Sequence, residues 1–149
     1  TGIIINRPLQ MRLSEVFEQL RIATPNEVIG QQSVLQGGPV QTDHGFVVHH
    51  SGGQWEHTRK ISSRIQVTTS PDILDAMARG AGPETAIVAL GYAGWSAGQL
   101  ESELAQNTWL TVPADERIIF DTPFEQRWRA AGRLLGVDLA TISPHAGHA

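Results

Sequence analysis

The run Ala86-Ile87-Val88-Ala89-Leu90 constrains this chain more than any other segment. Neither of its alternating faces carries a polar residue. A strand that is apolar on both faces needs cover on both sides. Gly82-Pro83 precedes it, and it opens into Gly91-Tyr92-Ala93-Gly94-Trp95. A layered domain of mixed α and β structure follows, with other strands beside this one and covering elements above and below. The chain's 149 residues suffice for one such domain and not for two.

Other elements read around that centre. Ile3 to Asn6 reads as an apolar strand stopped by Pro8, with no lead-in before Thr1. Such a strand wants a partner, so more sequence is expected upstream. Leu13, Val16, Phe17 and Leu20 share one face, and the spacing predicts a helix over Leu13 to Ala23. Ser33 to Leu35 reads as a short strand and Asp43-His44-Gly45 as a turn. Phe46 to His50 and Ile61 to Thr69 then form an antiparallel meander. Ser70-Pro71-Asp72 predicts a helix start with Ser70 as N-cap, a stripe of Ile73, Leu74 and Met77, and a stop at Gly80. Leu100 and Leu104 stand one turn apart on a further helix. Trp109 to Val112 and Arg117 to Phe120 read as strands. Thr122-Pro123-Phe124-Glu125 has the form of a capping box, and Phe124, Trp128, Ala131 and Leu135 continue as a helical stripe that Gly136 ends. Arg127, Arg129 and Arg133 read as the solvated side of that helix.

Composition closes several functional classes. Charged residues are 17% and the net charge is −4, so no basic field invites nucleic acid or an anionic membrane. Cysteine is absent, which excludes disulfides, thiolate metal sites and cysteine nucleophiles and fits a cytoplasmic location. No apolar run approaches the roughly 18 residues a membrane span needs.

Three constellations invite chemistry. The histidines His44, His49, His50, His57, His145 and His148 have loose spacing; His49 and His50 are adjacent on a strand and face opposite ways, so they do not share one ion. No metal and no cofactor is expected. Gly94-Trp95-Ser96-Ala97-Gly98 fits the GxSxG nucleophile elbow letter for letter, between an apolar strand and a helix. That reading makes Ser96 a nucleophile, with Asp115 and His148 completing a triad (Asp121 and His145 satisfy the same order). The bland reading makes it a glycine-softened loop. Gly37-Gly38-Pro39 reads either as an anion-binding backbone nest or, more simply, as a tight turn. Tyr92, Trp95 and Trp109 cluster nearby as pocket lining or as packing.

The block Gly91-Tyr92-Ala93-Gly94-Trp95-Ser96-Ala97-Gly98-Gln99-Leu100-Glu101 resembles the AlgH/YqgE family of bacterial proteins. Gly2 to Leu9, Gly37 to Val40, Asp43 to His49, Thr68 to Leu74, Asn107 to Asp115, Arg127-Trp128 and Ala146 to Ala149 agree, in family order, over essentially the whole chain. The resemblance implies one α+β domain, residues 1–149, with a mixed, strongly curved, barrel-like β core and outer helices. It also implies an N-terminal segment that this chain lacks. No catalytic residue comes with it, and relatives often carry another small residue where Ser96 stands. The family name refers to a proposed regulatory role in alginate production.

The functional expectation is a cytoplasmic regulatory or binding module for an unidentified protein or small molecule. Its surface would lie around Gly37, Gly38, His44, Tyr92, Trp95 and Gln99. The alternative is a small-molecule hydrolase using Ser96. Direct DNA binding is disfavoured by charge, and self-association through an exposed Ile3–Ile5 strand edge is expected.

Overall fold

The computed structural model describes residues 1–137. Six strands form one sheet in the order β1-β2-β6-β3-β5-β4. They are β1 (Pro8–Arg12), β2 (Ser33–Gln36), β3 (Val40–His50), β4 (Thr58–Lys60), β5 (Ile65–Thr68) and β6 (Ala86–Tyr92). The apolar run is β6, in the interior of the sheet, with Val88 and Ala89 at most 2% exposed. It pairs parallel with β2 and antiparallel with β3, so the sheet is mixed. It is also open: β1 and β4 are its two edges. The expected barrel-like closure is therefore corrected. Closure would need β1 to pair with β4, and β4 has three exposed residues, two of them charged, as a guarded edge does.

One face of the sheet carries helices. In α1 (Leu13–Gln19), Leu13, Val16 and Phe17 fall at i, i+3 and i+4; in α3 (Asp72–Ala78), Ile73, Leu74 and Met77 fall at i, i+1 and i+4, which also keeps them on one side of the helix. They pack on Val34, Val47 and Val88, one from each of three adjacent strands, to form the core. The short α2 (Glu27–Gly30) starts where Asn26 Oδ1 accepts the N–H groups of Val28 and Ile29, at 3.0 and 3.4 Å. α1 ends earlier than predicted because Arg21 adopts a left-handed φ of 57° and Ile22 N–H turns back to the Phe17 carbonyl.

The other face is covered by less regular pieces: residues 1–7, a π-helical turn at Arg117–Asp121, and α5 (Phe124–Leu134). Here several expectations change. Ile3 to Asn6 is no strand; Gly2 bridges Ala93, and Ile4 N–H donates to the Gly37 carbonyl at 2.8 Å, so the segment crosses the ends of β2 and β6. Pro8 opens β1, a position where its missing N–H costs nothing. Asp43-His44-Gly45 lies inside β3, in an irregularity between Val40 and Gly45 where Gln41 takes φ 48°. Ile61 to Thr69 divides at Ser62, whose Oγ accepts the N–H groups of Arg64 and Ile65. The pairing is antiparallel as expected, but β5 lies between β3 and β4, so it is no meander.

Trp109 to Val112 has no regular structure, and Arg117 to Phe120 is helical because Asp115 Oδ1 caps the N–H groups of Arg117 and Ile118. Thr122 makes no capping box; its N–H and its hydroxyl both go to the Arg117 carbonyl, and Pro123 takes the cap position. Ser70 likewise does not cap α3. Its hydroxyl donates to Asp72 Oδ1, which accepts the Ile73 N–H. Gly136, at φ 72°, does end α5. Leu135, expected in the buried stripe, is 41% exposed, whereas Arg127, expected outside, is 4% exposed.

α4 (Gln99–Ala105) has no fully buried residue. Among the described residues no helix is long and apolar enough to cross a membrane.

Candidate functional site

Gly37 and Gly38 leave β2 where Gly91 and Tyr92 end β6. A Cβ on Gly37 would overlap the Gly91 carbonyl oxygen, one on Gly38 the Tyr92 backbone, and one on Gly91 the Gly38 carbonyl oxygen. Two main chains cross in direct contact, which only residues without a side chain permit. Tyr92 packs edge-on against Phe46, with ring centroids 5.6 Å apart.

The Gly94–Gly98 loop feeds a small polar clip. Gln99 Oε1 accepts the Ser96 N–H at 3.0 Å and the Ser96 hydroxyl at 3.2 Å. One turn on, Glu103 Oε1 accepts from Gln99 Nε2, and Glu103 Oε2 accepts the indole N–H of Trp95 at 3.0 Å and of Trp109 at 2.7 Å. The two indoles meet edge to face at 5.9 Å. These hydrogen bonds, the one from Trp109 foremost, hold the Glu103 carboxyl below the usual carboxylate range. The Ser96–Gln99–Glu103 spacing of three and then four residues places this chain along one face of α4. The sequence reading missed Glu103, which that spacing could have revealed.

Asp115 acts as a helix cap, as described above, and its structure gives it no hydrogen bond to Ser96. His145 and His148 lie outside the described residues. His44 is exposed and lies 3.0 Å from Asp43 Oδ1. The predicted binding residues thus fall into three groups: Gly37, Gly38 and Tyr92 at the crossing; Trp95 and Gln99 in the clip; and His44 in the irregular stretch of β3 that runs beside Leu90 to Tyr92.

His49 and His50 do face opposite ways. His49 is fully buried under the helices. Its Nδ1 stands 2.7 Å from the His50 carbonyl, so Nδ1 carries the proton. Nε2 then accepts from the Thr68 hydroxyl at 2.8 Å, and the Thr68 and Thr58 hydroxyls lie 2.8 Å apart. Burial first, and the neighbouring His50 next, lower the His49 pKa against the raising effect of its backbone hydrogen bond. The imidazole is a neutral structural element. His50, on the other face, packs on Phe120 and lies 3.0 Å from Glu116 Oε1, which also takes the Arg64 Nε hydrogen bond at 2.9 Å. Among the described residues no three His, Asp or Glu side chains converge as a metal site requires.

The candidate site lies on the face away from α1 and α3. A groove of 820 Å³ opens there, a volume that suits a small molecule. Phe46 and Val48 of β3 and Ile65 and Val67 of β5 line it from the sheet; Ile3, Ile5, Ala114 and Ile119 line it from the covering segments. The register sets this up. Val48 is opposite both Val67 and Ile87, while Val47, one residue away, is opposite Thr68 and Val88 on the helix face. Glu56, His57, Thr58, Arg59 and Ile61 form the mouth.

That mouth is fixed by main-chain bonds. Glu56 N–H donates to Asp72 Oδ2 at 2.8 Å and His57 N–H to Ser70 Oγ at 3.0 Å, while Thr69 N–H donates to the His57 carbonyl. On the opposite wall the buried guanidinium of Arg127 holds the covering segment: Nη1 donates to the Ile5 carbonyl at 2.6 Å, Nε to the Thr122 carbonyl at 2.9 Å, and the group lies over the Phe124 ring.

Comparison with known proteins places these features in a family. A UPF0301 protein of Thioalkalivibrio sulfidiphilus is 53% identical over 148 residues, 99% of this chain and 79% of that protein. One from Saccharophagus degradans is 50% identical over 148 residues, covering 72% of its length. The solution structure of AlgH from Pseudomonas aeruginosa superposes with a TM-score of 0.79 at 49% identity, covering 99% of this chain and 78% of that one. A crystal structure of a Corynebacterium diphtheriae protein, 15% identical, has a TM-score of 0.64 over 88% of this chain and 68% of its own and so shares the fold. The AlgH-like family (DUF179) matches residues 1–140, and the chain belongs to that family.

Proposed function

We propose that this protein is a non-catalytic binding module that takes an apolar small molecule into the groove between the sheet and its covering segments, and that occupancy is the signal of a regulatory role. One observation carries this reading. Two of the polar groups that sequence alone made candidates for catalysis, Ser96 and Asp115, are committed to local structure. Ser96 is tied to Gln99 and Asp115 caps a helical turn. The groove, by contrast, combines an apolar floor with a polar mouth, the usual make-up of a ligand site. A π-helical turn contributes Ile119 to its wall, and such turns are frequent at functional sites.

The test uses N-phenyl-1-naphthylamine, a neutral apolar fluorophore. Saturable binding of one probe per chain is expected, and Ala114→Trp, at an exposed loop position on the groove wall, should abolish it with the circular dichroism spectrum unchanged. Absence of saturable binding, or binding indifferent to both Ala114→Trp and Val67→Trp, overturns the proposal.

A further inference from the structure

We infer that the ligand of this groove is an amphipathic anion, an apolar tail carrying a carboxylate, and that Arg59 is the residue that receives its head group. The inference rests on the binding reading above and adds the chemistry of the ligand. Arg59 is opposite Val67 in the register of β4 and β5, and Val67 is opposite Val48 in that of β5 and β3. Residues directly opposite one another point to the same face. Arg59, Val67 and Val48 therefore form one row across the groove floor, with the cation at its outer end and apolar side chains inward. Among the described residues the Arg59 guanidinium has no ion pair or hydrogen bond.

Among the described residues Arg59 is the one Lys or Arg in the groove lining; Lys60 is on the opposite face of β4 and Arg64 is already paired with Glu116. Glu56 is the acidic residue at the mouth, but it precedes β4 and stands outside the register row. A guanidinium at the rim of an apolar floor suits a carboxylate, whose two oxygens match its paired N–H groups. Ile61, 59% exposed beside the mouth, continues the apolar surface toward the head-group end.

Displacement of N-phenyl-1-naphthylamine from the 149-residue protein tests this, with dodecanoate, dodecylamine and 1-dodecanol as competitors below their aggregation limits. Dodecanoate should displace the probe at a concentration about fivefold to tenfold lower than the other two, the range a partly solvated charged contact supplies. Arg59→Gln should bring dodecanoate level with 1-dodecanol, each read against the probe affinity of that variant. Lys60→Gln removes the same charge one residue along, on the opposite face, and should leave the preference intact. Parity of dodecanoate with 1-dodecanol, a preference that survives Arg59→Gln, or one equally lost in Lys60→Gln overturns the inference. So does a preference for dodecylamine, which would move the head-group contact to Glu56. Failure of the probe itself to bind overturns the binding reading instead, so the two failures are distinguishable.

Discussion

The two faces of the sheet are built on different principles. On the helix face, Leu13, Phe17, Ile73 and Ala78 are fully buried against Val34, Val47 and Val88, and the fit of apolar side chains fixes α1 and α3. On the groove face the covering pieces are held at polar points. Arg127 reaches the Ile5 and Thr122 carbonyls, Glu103 gathers two indoles, and Asp115 and Thr122 brace the π-helical turn. Dense apolar packing leaves no room for a ligand. Cover pinned at a few polar anchors can stand off the sheet and leave a groove. Tight packing and an open groove are thus divided between the two sides of the same strands.

The comparison breaks first at Phe17. Phe17→Ala should cost about 3–5 kcal/mol in urea unfolding, while Val67→Ala on the groove floor should cost about 1 kcal/mol or less, since the partly buried valine already borders an open groove and leaves little new enclosed cavity. Equal losses would refute the division. Arg127→Ala comes next. Leaving two carbonyls without their charged donor should cost about 2 kcal/mol, and amide resonances of Ile3 to Ile5 should move far more than those of α1. Arg127→Lys should recover less than half, because one ammonium does not span both carbonyls in the guanidinium's geometry.

A smaller, pH-dependent effect belongs to His49. Its folded pKa lies below the ordinary 6.5, so the unfolded chain binds the proton more readily. The stability this contributes is present above about pH 6.5 and is lost as the pH falls from there toward the lowered folded value. The urea midpoint of the wild type should therefore drop between pH 7.5 and 5.5 by more than that of His49→Gln. Glu103→Gln should do least. It keeps an acceptor for the indoles, so the melting temperature should barely move while tryptophan emission shifts.

Much of the helix face was legible in the sequence because it rests on periodicity. The apolar run at Ala86 and the stripes at Leu13, Val16, Phe17 and at Ile73, Leu74, Met77 report burial directly. The other face was read poorly. Ile3-Ile4-Ile5 and Ile118-Ile119 have the composition of strands, but a main-chain crossing claims the first and an Asp115 cap turns the second into a helix. Arg127 looked solvated because nothing local shows that its partner carbonyls come from Ile5 and Thr122. The groove was half visible. Phe46-Val47-Val48 is apolar on both faces, which calls for cover on both sides, but the register that sets Arg59 beside Val67 depends on β5 coming between β3 and β4.

The interior position of β6 also has a consequence for how the chain assembles. Its parallel partner β2 precedes it by roughly fifty residues, as the Val34–Val88 pairing shows, and that loop must close before the contact forms. During synthesis β3, β5 and β4 can pair as soon as they emerge, while β1 and β2 wait as an unfinished ribbon with an open edge. Until residue 92 leaves the ribosome, the chain holds two incomplete half-sheets, each with exposed strand edges of the kind that invite mispairing. Arrival of the last strand joins them, so the segment most plainly written in the sequence is also the one on which the timing of folding turns.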